Sequence, residues 1–290
     1  MDLQENPINI QIIELLQKLI GSSGYLDAPS VEQVSSILEF AGNNQQFLNA
    51  PGQASPMVND LTPLALAMSF FGSDSGLFKG LVDLDADPFA WDARGNTLLS
   101  YAAAPTSIYR YNHHQGPELF NDLLRRLDGQ PERQRILDAA LGYAIIHLDN
   151  RHCQNYDENM IIRLIEKGAD PDLKLSDWPT RGSTVSVVQF AMAHMHPAVA
   201  LKLIAAGANH DATLLLQDAT DVLEIMAGSP EHFRHVVPGF KDIIKALVAK
   251  GADLYASDFK GRTSYNSLRS AGIEFLILKP TKSSAPRLEL

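Results

Sequence analysis

The 290-residue chain has a single cysteine, Cys153. One thiol excludes any internal disulfide framework, and the expected setting is reducing and cytosolic. Positive charge is scarce as well: 24 Lys and Arg stand against 34 Asp and Glu, a formal net charge of −10. Nucleic-acid binding depends on neutralising phosphates with cations, so this balance argues against a nucleic acid as partner. No apolar run approaches the roughly 20 residues of a membrane span. The first residues show no basic stretch leading into an apolar one. Catalytic phrases are missing too: there is no phosphate loop, no paired-histidine zinc helix and no nucleophile elbow. Asp83, Asp85 and Asp87 open like a calcium loop, but the required Gly and closing Glu do not follow, which leaves a solvated turn. The composition, 45% hydrophobic and 20% charged, predicts a folded soluble chain.

One short phrase recurs. Gly168-Ala169-Asp170, Gly207-Ala208-Asn209 and Gly251-Ala252-Asp253 each follow an apolar segment. Four residues before each Gly lie Leu164, Leu203 and Leu247; three before lie Ile165, Ile204 and Val248; seven before lie Ile161, Ala200 and Ile244. Those offsets share one face of a helix. Gly then ends the helix, because the residue after it commonly needs a positive φ. The same ruler places Asp85, Leu127 and Ala41 at earlier marks. The marks at 41, 85, 127, 168, 207 and 251 are separated by 44, 42, 41, 39 and 44 residues. A repeat near this period predicts a solenoid or an array.

A second phrase narrows the type. Asp92, Gly95 and Thr97 follow the mark at Asp85 at the same offsets as Asp258, Gly261 and Thr263 follow Gly251. Thr62-Pro63-Leu64 is a third copy of the ending. Thr caps a helix N-terminus with its hydroxyl, and Pro suits the first helical position. This pattern resembles the ankyrin repeat, with its hairpin turn and Thr-Pro-Leu helix start, across most of the chain. The period alone favours the longer HEAT or armadillo units. Insertions lengthen a repeat without changing its cap residues, so turn chemistry outweighs period. The implied fold is all-α: an ankyrin-like helical-hairpin solenoid of about six to seven units. Thr62, Thr97 and Thr263 are its helix starts, and Gly168, Gly207 and Gly251 its helix ends.

Residues 1–61 read as an N-terminal capping helical pair with a linker, 62–278 as the repeats, and 279–290 as a polar tail without fixed structure. The capping pair has helices at about 8–20 and 31–41. Later units start at Thr62, Thr97, about Ile136, about Ser186, near Thr213 and Thr263. Residues 273–278 form a short closing helix or strand. Three inserts fall between the two helices of a unit, at 105–117, 149–158 and 228–239. They carry Tyr109, Tyr111, His113, His114, Arg151, His152, Cys153, Tyr156, His232, Phe233, Arg234 and His235. With His194 and His196, seven of the nine histidines lie in such segments. The inserts are either ordinary exposed loops or a binding edge, since insertions on one face of a repeat array often mark its binding face. His196 stands where the ankyrin pattern commonly has a structural His. A zinc site is disfavoured because adjacent His152 and Cys153 cannot supply a converging tetrahedral set, so no metal or cofactor is expected.

The resemblance implies recognition through hairpin tips and the concave first helices. The tips carry Phe89, Trp91, Arg94, Trp178, Arg181, Phe259, Lys260 and Arg262. Trp91 and Trp178 are the leading contact candidates, with packing onto a neighbouring hairpin as the equal alternative. Tyr109, Tyr111, Phe233 and Arg234 are the candidates in the inserts. The expectation is a monomeric, non-enzymatic module that binds another protein. Two alternatives stand beside it. One is a bacterial effector secreted into a host cytosol to engage host proteins. The other is an enzyme with its site in the His-rich inserted edge.

Overall fold

The computed structural model describes residues 15–16, 30–50, 61–104, 116–149, 158–175, 184–208, 211–228, 230–258 and 260–272. All but residues 15–16 of the helix expected at 8–20, most of the first two inserts, the closing element at 273–278 and the tail at 279–290 lie outside them. The chain forms two compact units, Met1–Asp170 and Pro171–Leu290.

The first unit is built from α1 (Val31–Asn43), α2 (Pro63–Phe71), α3 (Gly76–Asp83), α4 (Leu98–Ala103), α5 (Gly116–Arg126), α6 (Arg133–Ile146) and α7 (Glu158–Glu166). Helices pair in sequence, α2 with α3, α4 with α5 and α6 with α7. The first helix of each pair also packs on the next, α2 on α4 and α4 on α6, while α1 packs on α3. The second unit repeats this with α8 (Val187–Ala193), α9 (Pro197–Ala205), α10 (Ala212–Ala227), the short α11 (Pro230–Phe233), α12 (Val237–Ala249) and α13 (Ser264–Ser270). There α8 pairs with α9 and α10 with α12; α8 and α13 both pack on α10, and α9 on α12. Within each unit the described residues are thus repeated helical hairpins resembling a solenoid. The lengthened turn before α8 adds two short antiparallel strands, Lys174–Leu175 and Val185–Ser186.

The recurring phrase ends helices as its residues require. At Asp85, Gly168, Gly207 and Gly251 φ is 65°, 98°, 103° and 93°. Each donates its N–H three residues back, and the following Ala donates five back, to Leu81, Leu164, Leu203 or Leu247. This double closure satisfies carbonyls that the helix end would leave bare. Two marks are corrected. Ala41 lies inside α1, which runs on to Asn43, and Leu127 is a buried core residue with the left-handed position at Gly129. Apolar periodicity gives the buried face, but local turn chemistry chooses where the helix stops.

Two residues past three of the marks, the backbone N–H ties to a preceding element. Asp87 donates to Asn49, Asp170 to Asp138 and Asp253 to Thr213, at 2.7, 2.7 and 3.0 Å. Thr213 therefore serves the next turn, and the cap of α10 is Asp211, whose carboxylate accepts from Thr213 and Leu214. Thr62, Ser186 and Thr263 cap their helices as expected. Thr97 departs from the expectation: its buried Oγ has no hydrogen-bond partner among the described residues, and Ser100 Oγ accepts from the Thr97 N–H instead. The third insert is also partly helical, through α11, and α12 begins before Gly239.

Candidate interaction surfaces

In the first unit the turn between α3 and α4 is held by Asp92. One carboxylate oxygen accepts from the N–H of Arg94 and of Asn96, at 2.9 and 2.8 Å. An Asp side chain bonding backbone just ahead of it is a standard way to fix such a turn. The other oxygen accepts from the Tyr101 hydroxyl on α4. Asp92 is only 6% exposed. Burial pushes its carboxyl above the ordinary range against the pull of those hydrogen bonds, and burial also pushes Tyr101 up. The Tyr101 ring meets Tyr143 of α6 edge-on at 5.0 Å, and Tyr143 meets His147 at 4.3 Å. Burial holds His147 below the usual imidazole range.

Trp91 leans onto the neighbouring hairpin. Its indole N–H donates to Glu132 at 2.5 Å, and the Arg135 guanidinium sits 4.2 Å from the ring centroid. Arg135 also pairs with Glu132 at 3.2 Å. A cation over the ring face and a carboxylate on its N–H use both of the polar handles an indole offers. Phe89 is buried and Arg94 is exposed.

In the second unit the turn before α13 repeats the construction with a different ending. Asp258 accepts from the N–H of Lys260 and of Arg262, both at 2.8 Å. Its second oxygen accepts from Arg262 Nε at 3.0 Å, and the same guanidinium reaches Asp221 of α10 at 3.1 Å. The Arg262 N–H, before the guanidinium, holds the Asp258 carboxyl below its ordinary range. The Tyr255 ring meets Tyr265 at 5.2 Å, tilted by 33°, yet Tyr255 remains 63% exposed. Asp218, one turn before Asp221, accepts from Gln189 of α8 at 2.8 Å. Burial, with the neighbouring Asp221 adding to it, pushes Asp218 up.

The expected contact residues are thus divided. Lys260 and Arg262 share one turn with Tyr255, which was not an expected contact, and Arg262 joins that turn to α10. Phe233 is half-buried and Arg234 exposed at the end of α11. Trp178, Arg181, Phe259, Tyr109 and Tyr111 lie outside the described residues. Among the described residues no three His, Cys, Asp or Glu are grouped to hold a metal ion, and no helix is long and apolar enough to cross a membrane. Leu214 and Ile225 of α10 are not among the contacts the sequence predicts. They are 49% and 67% exposed. Their signal was present only as two positions of one helical face, inside a segment rich in buried leucines.

The crystal structure of the ankyrin repeat domain of Bcl-3, a member of the IkappaB protein family, matches 95% of this chain and 99% of that chain, with a TM-score of 0.50 and 19% identity. This chain is similar in fold to an ankyrin repeat domain. A chain of the complex between a Bdellovibrio bacteriovorus predatory endopeptidase and an immunity protein matches 91% of this chain and 98% of its own length, at 16% identity and a TM-score of 0.33. No protein-family model matches the chain, and no curated protein does. The ankyrin-like likeness reaches the fold alone, so what the surfaces do rests on their own chemistry.

Proposed function

We propose that the chain is an ankyrin-type repeat protein of six to seven units acting as a non-enzymatic module that holds another protein. The observation that carries this reading is the second unit's exposed apolar side chains. Tyr255 stands in water on the turn that carries Lys260 and Arg262, Leu214 and Ile225 stand in water on the helix that carries Asp221, and the Arg262–Asp221 pair joins that turn to that helix. Grouped apolar side chains rimmed by polar ones mark interaction sites more often than scattered ones do. Tyr and Arg are also the residue types that dominate binding hot spots.

In this reading the first unit contributes less. Its Trp91 is occupied by Glu132 and Arg135, and its Asp92 is turned inward. The module takes no cofactor and works as a monomer. The test is affinity capture from the native source with the full chain and with a Tyr255→Ala/Ile225→Ser variant of unchanged melting temperature. The expected result is a protein retained by the parent chain and lost by the variant. Equal capture by both overturns the assignment to this surface. Capture of no protein by the parent chain overturns the module.

A further inference from the structure

The α10 helix has three of its sides committed. Leu215, Leu216, Ala219, Thr220, Leu223 and Met226 are buried, and α8, α12 and α13 pack around it. The remaining face presents Leu214, Asp218, Asp221 and Ile225, which follow one another at intervals of 4, 3 and 4 residues. At 3.6 residues per turn these four fall within about 60° of arc, and the outer two are separated by about 16 Å of rise. Spacing of 4, 3 and 4 is the seam along which two helices pack side by side. An extended strand, with its period of two, offers no such match.

The seam has apolar ends and an acidic middle. Glu224 adds a third carboxylate beside it, and the whole of α10 contains no Lys or Arg. Among the described residues, Arg262 binds Asp221 from the α13 side and the Gln189 amide of α8 binds one oxygen of Asp218. A second copy of this chain is a poor occupant. Parallel copies would set Asp218 against Asp218, and antiparallel copies would set Asp218 against Asp221. Like charges in a helix seam oppose pairing.

We propose that the Leu214–Asp218–Asp221–Ile225 seam docks a basic amphipathic helix of the partner protein. This rests on the interaction-module reading and names the partner's chemistry. The docked helix carries apolar residues at the two ends of a matching 4, 3, 4 pattern and Lys or Arg at the two inner positions. Its apolar ends cover Leu214 and Ile225, and its cations meet Asp218, Asp221 and Glu224. Partly buried carboxylates raise the worth of an added cation, because water screens them less.

The test uses the full chain and a fluorescent synthetic helix of roughly five turns, with Leu at the outer and Lys at the inner seam positions. A control peptide has Glu in place of those Lys. Anisotropy titration is expected to show the Lys peptide binding roughly tenfold or more tighter than the Glu peptide. Leu214→Ser/Ile225→Ser and, separately, Asp218→Asn/Glu224→Gln should each weaken the Lys peptide by roughly tenfold. Trp91→Ala in the first unit should leave it unchanged. Circular dichroism checks that each variant is folded; Leu214, Glu224 and Ile225 are exposed, and Asn at 218 keeps an amide oxygen to accept from Gln189. No binding of the Lys peptide, or binding that ignores the α10 substitutions, overturns the proposal. So does concentration-dependent dimerisation that the Leu214→Ser/Ile225→Ser variant abolishes. If native capture succeeds while these titrations fail, the seam assignment falls and the module reading stands.

Discussion

The two Asp-held turns share a backbone and differ in what they do with one oxygen. In the first, the Asp92 backbone N–H donates to the Asn96 carbonyl at 2.9 Å, and in the second the Asp258 backbone N–H donates to the Arg262 carbonyl at 2.8 Å. Gly95 and Gly261 take φ of 77° and 74° at matching places. The leftover oxygen of Asp92 binds Tyr101 inside the unit; that of Asp258 binds Arg262 at the surface. At the matching positions Asn96 stands for Arg262, and Tyr101 for Ser267. Turn geometry is therefore set by backbone demands that both sequences meet, while the second oxygen is available for either a buried lock or a surface charge pair. The first unit's turn is tied inward to Tyr101, and the second unit's turn ends in a surface charge pair with Arg262.

The largest expected effect separates those two roles. Asp92→Ala orphans backbone donors and the Tyr101 hydroxyl together in a buried place, and should cost about 3 kcal/mol. Asp258→Ala should cost less, since water replaces the lost partners. Equal losses in urea unfolding would break the comparison. The pH response sharpens it, because the two carboxyls are displaced in opposite directions. Folding raises Asp92, so its contribution is full below the unfolded value of about 3.9 and is lost as pH rises through the folded value. Folding lowers Asp258, so its contribution is present above the unfolded value and is lost as pH falls through the folded one. Relative to the parent chain, Asp92→Asn should gain stability as pH rises and Asp258→Asn should lose it. Unfolding midpoints across the acid range check both signs.

A second contrast lies at the helix ends, where Asp85 and Gly251 occupy the same left-handed position. A Cβ at Gly251 would meet nothing within 4 Å. Any penalty there is backbone strain alone. Gly251→Val should cost about 2 kcal/mol, since β-branched residues are the least suited to positive φ. Asp85→Gly should relieve strain and leave the protein as stable or slightly more so. A Gly251→Val melting curve that overlays the parent's would show that this end does not hold the last repeats.

These contrasts locate what the sequence makes legible. Helix ends could be read from Gly168, Gly207 and Gly251 because positive φ leaves few alternatives. Asp85 could be read by register, as the rare residue that tolerates the same conformation. Ala41 and Leu127 misled because an apolar stripe does not say where a helix stops. At the surface the letters said less. Asp92 and Asp258 look alike, and only Tyr101, nine residues on and packed against α6, makes one of them internal. The run Leu214-Leu215-Leu216 hides which leucine faces water until α8, α12 and α13 take the other sides of α10. Trp91 could be read either as a contact or as a packed ring, and its fate depended on Glu132 and Arg135 of the next repeat.

The smallest expected effect concerns two threonines that look equivalent. Thr263 caps α13 by accepting from Asn266 at 3.2 Å, whereas Thr97 Oγ is buried with no partner among the described residues. Thr263→Ala removes a working cap and should cost about 1 kcal/mol. Thr97→Ala removes no hydrogen bond and takes an unsatisfied oxygen out of the core, which offsets much of the lost packing. Its cost should fall below that of Thr263→Ala, and Thr97→Val, which keeps the shape, should be smaller still. Parallel urea titrations of the three variants rank them directly. A Thr97→Ala loss exceeding that of Thr263→Ala would mean that the Thr97 hydroxyl has a partner, and that the first unit's turn is capped in the same way as the second's.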